Sequence, residues 1–149
     1  MSSGTVADFI SSASTLSGYV ISDTATAIVG NLNTIVANQS KVLQLNIVLS
    51  SDDRVSGNLH SDATIVYYAL TAYSGSVNLA LNNNTCTGGG VYESGLDMLN
   101  QLLTTYTSWT LTPFTWYPGS IAVDIYKYAD MNSKLITACL LYTSPSPRD

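Results

Sequence analysis

YVISDTATAIVGNLNTIVANQSKVLQLNIVLSS, residues 19 to 51, reads as strand, helix and strand without a break. Tyr19, Val20 and Ile21 are bulky residues suited to a strand, and Ser22, Asp23 and Thr24 then offer side-chain oxygens that cap a helix start. From Ala25 the apolar positions Ala25, Ile28, Leu32, Ile35 and Val36 form a one-faced stripe at helical spacing. The stretch Asn38 to Lys41 ends that helix. Leu43, Leu45, Ile47 and Leu49 then alternate with Gln44, Asn46 and Val48, the period of two expected of a half-buried strand. A helix of about 14 residues spans ~21 Å, and a seven-residue strand about 23 Å. The helix therefore returns the chain to the level where the first strand began, and the two strands are expected to be parallel neighbours.

The same rhythm extends in both directions. Val6, Phe9, Ile10, Ala13 and Leu16 make a helical stripe before the first strand, with Ser2, Ser3 or Thr5 available as its cap. Ser50 to Ser61 is polar and reads as a loop. Ile65, Val66, Ala69, Leu70 and Tyr73 give a helix-like face, although the β-branched and aromatic content of Thr64 to Tyr68 also fits a strand. Val77, Leu79 and Leu81 alternate as a strand, Asn82 to Gly90 reads as a turn-rich loop, and Tyr92 to Tyr106 is the clearest helix of the second half. Trp109, Leu111 and Pro113 follow as a strand that Pro113 confines to an edge or an exit. Ile121 to Asp130 fits a helix or a strand, with the preceding rhythm favouring helix. The expected fold class is α/β, a solenoid-like array of alternating helices and parallel strands.

Asp23-Thr24-Ala25, Ile28, Asn31-Leu32 and Ile35 resemble the D-T-A-x-x-I-x-x-N-L-x-x-L repeat of large bacterial secreted and surface proteins, which often also carry haemolysin-type calcium-binding repeats. Thr5 to Ile10 with Leu16 is similar to the V-A-x-F-L helix that precedes that repeat, and Leu45 to Ser51 stands where the family has its I-x-L-S-D strand. Thr26 and Ala27 depart from the usual Ala-Asn, and Ser17-Gly18 shortens the usual Gly-Gly. The match is good over residues 5–53 and only rhythmic over 54–138. The resemblance implies an α/β repeat segment of an extracellular or cell-surface polypeptide, packed against neighbouring repeats of the same chain. It brings no catalytic residues. It also implies type I secretion through a C-terminal signal, which would reconcile an extracellular location with a start that has no charged, apolar signal peptide. Without the resemblance, that start would suggest the cytoplasm, and Met1 itself can be an internal start.

Residues 139–149, CLLYTSPSPRD, are similar to the in-frame translation of a sequencing-library adaptor on a metagenomic fragment, so the expected native segment is 1–138 and the tail non-native. The alternative is a natural Ser/Pro-rich tail. With the tail set aside, four cations stand against nine carboxylates and the net charge is still −5. So acidic a chain lacks the basic footprint that phosphate backbones need, which argues against nucleic acid and anionic membranes. No apolar run is long enough to span a bilayer.

Catalytic and metal chemistry finds little support. Cys86 lacks a partner once Cys139 is discarded, and the single histidine, His60, has no motif linking it to a nucleophile. Asp52-Asp53 has neither EF-hand nor G-G-x-G-x-D spacing. Gly88-Gly89-Gly90 is followed by no Walker-type lysine. Glu93 and Asp97 lie one helical turn apart, where two carboxyls do not flank a bond across a cleft. The expectation is a non-enzymatic segment with no cofactor or metal, whose task is to space or present other modules. The alternative is an adhesin-like module that binds glycan or a surface protein through Trp109, Phe114, Trp116 and Tyr117, part of an aromatic concentration that continues to Tyr126 and Tyr128.

Overall fold

The computed structural model describes residues 2–13, 15, 17–52, 58–87, 94–117 and 131–141. Asp53, the Gly88 to Gly90 run, Glu93, the helix-or-strand choice at 121–130 with Tyr126 and Tyr128, and residues 142–149 lie outside that set. The fold is mixed α/β, with helices alternating with parallel strands. β1 (Ser2–Gly4), β2 (Tyr19–Thr24), β3 (Val42–Leu49), β4 (Val77–Leu81) and β6 (Thr110–Leu111) form a five-stranded sheet in that order, and each neighbouring pair is parallel. The helices between them are α1 (Val6–Ser12), α2 (Ala25–Gly30), α3 (Leu32–Ala37), α4 (Leu59–Ala69) and α5 (Ser94–Thr105). Tyr19 to Ser51 thus forms strand, helical segment and parallel strand, as its two periods predict.

The alternation along each strand sorts side chains into rows across the sheet. Ile21, Leu45 and Val77 stand in register, as do Ile47, Leu79 and Leu111, and all but the half-buried Leu111 are buried. Against this face lie the buried helix residues Ala25, Ile28, Leu32 and Ile35 of α2 and α3, Leu59, Ala63 and Val66 of α4, and Leu96, Leu99, Leu102 and Leu103 of α5. Burying a leucine-sized side chain contributes about 1.5–3 kcal/mol, so this layer is the main source of stability. Leu43 departs from the alternation. Tyr19 pairs with Val42 but Val20 pairs with Gln44, so Leu43 is the extra residue of a bulge and is 50% exposed.

The other face of the strands carries a polar row. Ser22, Asn46, Asn78 and Thr110 are in register on four successive strands. Asn46 Nδ2 donates to Ser22 Oγ at 2.9 Å, and Asn78 Nδ2 donates to Asn46 Oδ1 and to Thr112 Oγ1, both at 2.8 Å. Thr110 Oγ1 donates to Asn78 Oδ1 at 2.7 Å and closes the row. A shift of one residue in any pairing would turn an asparagine toward the apolar layer, so the row and the apolar rows enforce one register together.

Helix ends are fixed by side chains of these segments and of their neighbours. Thr5 caps α1 in a capping box with Asp8, the expected N-terminal signature. Thr24 caps α2 through Ala27 N at 3.2 Å, while Asp23 Oδ2 reaches across to accept from Val6 N, in the first turn of α1, at 3.1 Å. A carboxylate there also complements the helix dipole. At the opposite helix ends, Lys41 Nζ donates to Ala13 O, the C-cap of α1, at 2.6 Å, and Lys134 Nζ donates to Thr107 O and, at 2.8 Å, to Trp109 O just past α5. The single helix expected after Thr24 is divided at Asn31, whose φ and ψ are −117° and 19°. Its side-chain amide donates to Ala27 O at 2.9 Å, taking the carbonyl that the next helical turn would have used.

A second parallel sheet of three strands, in the order β5 (Thr85–Thr87), β7 (Phe114–Tyr117), β8 (Cys139–Leu141), follows the first. Two of its strands correct the sequence reading. The loop expected at 82–90 contains β5, entered through Asn83 and Asn84 at φ 57° and 53°, and the segment after Pro113 is β7. One further boundary changes, while the helical reading of 64–68 holds. α4 begins at Leu59, inside the segment read as loop, and 64–68 is helical, because Leu59, Ala63, Val66 and Leu70 are the positions that reach the core. Helix α6 (Ser133–Ala138) leads directly into β8, so Cys139 to Leu141, the first residues of the expected tail, pair with β7.

Two outcomes follow from these contacts. Asn78→Ala leaves the Asn46, Thr110 and Thr112 oxygens without their shared partner and should cost about 1–3 kcal/mol in urea denaturation, while Leu43→Ala should stay within about 0.5 kcal/mol. Deleting residues 142–149, a stretch with Pro145 and Pro147, should leave the melting temperature unchanged, whereas deleting 139–149 strips β8 from β7 and should lower it by on the order of 5 °C or more.

Candidate binding surface

The four aromatics singled out in the sequence divide sharply. Trp109, Phe114 and Trp116 are 3%, 1% and 1% exposed, while Tyr117, the last residue of β7, is 39% exposed. Phe114 and Trp116 share one face of β7 and pair with Cys139 and Leu141 on β8, and Trp116 pairs with Cys86 on β5. They belong to the core between the sheets and helices, which is where a four-residue strand of alternating character places them.

Trp109 reaches the surface through other rings. It stacks on Tyr106 at 4.1 Å between centroids with planes 9° apart. Tyr106 meets Tyr67 edge-on at 6.3 Å, and Tyr67 meets Tyr68 edge-on at 5.0 Å. Tyr68 is 72% exposed. The two edge-on geometries are ones that aromatic quadrupoles favour, with about 0.5–1.5 kcal/mol per pair beyond area burial. The Tyr106 hydroxyl donates to Tyr67 O at 2.7 Å and ties the end of α5 to α4. Tyr67 and Tyr68 are adjacent on a helix, so one turns to the neighbouring helix and the other to solvent. A composition count of late aromatics misses this pair because it lies some 40 residues earlier in the chain; the contact comes from Tyr67 on α4 meeting Tyr106 just past the end of the packed helix α5.

The remaining candidates are dispersed. His60 lies in the first turn of α4, where its carbonyl accepts from Thr64 Oγ1 at 2.7 Å. Cys86 and Cys139 are buried on the two strands flanking β7 and form no disulfide. Asp97 is exposed on α5, and Asp52 forms an isolated parallel bridge with Thr87. Among the described residues no three His, Cys, Asp or Glu side chains converge to hold a metal ion. No helix among them is long and apolar enough to cross a membrane.

Among the described residues, three hollows stand out on the surface. One, of about 330 Å³, lies beside the β6 edge against α6 and is lined by Leu111, Pro113, Thr137 and Ala138 among others. Another, of about 390 Å³, separates α1 from α2 between Val6, Ile10 and Ala27. The third, of about 190 Å³, sits at the carboxyl ends of β2, β3 and β4. Set against protein-family models, curated proteins and solved structures, the chain matches none of them.

Burial pushes the Tyr106 phenol above its ordinary value, with Tyr67 adding to the effect, and burial raises Tyr73 likewise. A phenol with a raised folded value holds its proton more tightly in the folded chain. Its contribution is complete below the ordinary tyrosine value of about 10 and is lost as pH rises through the folded value. Urea midpoints should therefore fall on going from neutral pH to strongly alkaline conditions. Tyr106→Phe should lower stability at neutral pH by about 0.5–1.5 kcal/mol, the scale of one hydrogen bond, and flatten the alkaline fall.

Proposed function

We propose that this chain is a non-enzymatic recognition segment of a secreted or cell-surface polypeptide, contacting carbohydrate or protein through an aromatic surface anchored on Trp109. The observation that carries this reading is the continuous run of rings from buried Trp109 through Tyr106 and Tyr67 to the exposed Tyr68. A ring held rigid from behind presents large contact area at little entropic cost, which is why tyrosine and tryptophan dominate binding hot spots. Tyr117 offers a second exposed ring at the end of β7. Among the described residues, His60, Cys86 and Asp97 stand on three separate elements, which favours recognition over catalysis.

A second reading, a structural repeat segment of a solenoid-like array that spaces other modules, is favoured by a different observation. The strands of the main sheet follow one another in chain order, and two lysines bind backbone carbonyls at the end of a preceding helix. In such an array each segment buries its neighbour's apolar face. The likeness of residues 5–53 to the D-T-A repeat supports this reading and the extracellular location, with Asp23 and Thr24 as the residues that hold two successive helix starts.

The two readings separate on one variant set. A glycan array and a pull-down from surface extracts should yield a ligand that Tyr68→Ala abolishes while unfolding stays cooperative, since this exposed ring gives up only its edge-on contact with Tyr67, about 0.5–1.5 kcal/mol. Retention of every ligand by the Tyr68→Ala, Tyr117→Ala double variant would remove the aromatic surface from the function and leave the structural role.

A further inference from the structure

We infer that the crevice at the carboxyl ends of β2, β3 and β4 is a binding site for a single neutral sugar ring, with Asp62 and Asn82 as its polar groups and Val48 as its apolar wall. The crevice is lined by Thr24, Val48, Leu49, Ser50, Asp62 and Asn82 and encloses about 190 Å³. Open α/β sheets bind ligands outside the carboxyl ends of their strands. This sheet has no reversal of strand order, so the chemistry of the crevice carries the assignment.

Asp62 stands in the first turn of α4, and its carboxylate is held by two donors from the end of β3. Ser50 N donates to Oδ2 at 2.8 Å and Ser50 Oγ donates to the same oxygen at 2.6 Å. These bonds fix the orientation of a group that has about four acceptor positions. Asn82 follows β4 directly and is exposed, and the left-handed residues Asn83 and Asn84 turn the chain away behind it. An amide supplies both donors and an acceptor, so carboxylate and amide together match the mixed demands of vicinal hydroxyls. The half-buried Val48 offers the apolar contact that the C–H face of a pyranose needs.

Size and charge narrow the ligand further. Sites that enclose drug-sized ligands run to about 300–1,000 Å³, so this crevice suits one ring. A lone carboxylate among neutral groups disfavours phosphates and acidic sugars. A calcium ion wants about six to eight oxygens, and among the described residues no cluster of three acidic or other metal-ligating side chains is present. The site is independent of the aromatic surface, because Asp62 lies at the start of α4 and Tyr67 and Tyr68 at its end.

The test is an NMR titration of the full chain with the methyl glycosides of glucose, galactose, mannose and N-acetylglucosamine, and with methylammonium as the cationic probe. The expected result is saturable shifts at the Ser50, Asp62 and Asn82 amides with at least one glycoside. Asn82→Ala should weaken that binding by about tenfold, the scale of one or two lost hydrogen bonds, at an unchanged melting temperature, and Asp62→Asn should weaken it further. Absence of saturable shifts with all four glycosides, shifts indifferent to Asn82→Ala, or tighter binding of methylammonium than of any glycoside would each overturn the assignment. Tyr68→Ala should leave these shifts intact, which keeps this result separate from the fate of the aromatic surface.

Discussion

Register is the constraint on which the main sheet depends. A parallel strand pair has evenly spaced, slanted hydrogen bonds that look alike at every step, so backbone pairing alone does not say which residue stands opposite which. In this chain two kinds of side chain break that degeneracy. The apolar rows gain only when they face the helix layer, and the amides and hydroxyls of Ser22, Asn46, Asn78 and Thr110 are satisfied only when they stand opposite one another. A buried or half-buried amide without its partner is costly, so the polar row acts chiefly by penalising the wrong alignments.

Given that register, the helix starts and ends fall where polar side chains can reach them. Asp23 closes β2, and its carboxylate lies beside the start of α1 because β1 and β2 are neighbours with Gly4 opposite Ile21. Lys41 precedes β3 and lies beside the end of α1 for the matching reason at the opposite rim. Gln39 does the same for the turn before β4, accepting from Ser74 N and Oγ at 3.2 and 3.1 Å. Sheet order thereby decides which loops touch, and loop chemistry in turn holds the helices at fixed heights over the sheet.

Much of this was legible in the residues, and the exceptions have identifiable causes. The parallel pair flanking residues 25–41 was readable because both periods, 3.6 and 2, are undisturbed there. Asn31 was not readable as a break, because its effect depends on a side-chain amide capturing Ala27 O, and the apolar stripe runs on through Leu32 and Ile35 regardless. Leu43 fits the alternation by type and fails it by position, since a bulge is decided by pairing between strands and leaves no mark on one strand alone. β5 is only three residues long, Thr85 to Thr87 between a run of asparagines and a run of glycines, and it is pairing with β7 that makes it a strand. Among the candidate site residues, sequence found the aromatic concentration near Trp109 but not which rings face water. That split depends on the packing of α4 against α5, which brings Tyr67 and Tyr106 together across nearly 40 positions.

The polar row has one more property, set by what it lacks. Its members are amides and hydroxyls with no formal charge, and the chain as a whole is only 10% charged. Dissolved ions shorten the reach of charge–charge forces from about 30 Å in dilute solution to about 3 Å at molar salt, but they leave neutral hydrogen bonds largely untouched. A sheet aligned by neutral groups holds its alignment across that whole range. The same strand order would therefore persist from fresh water to brine.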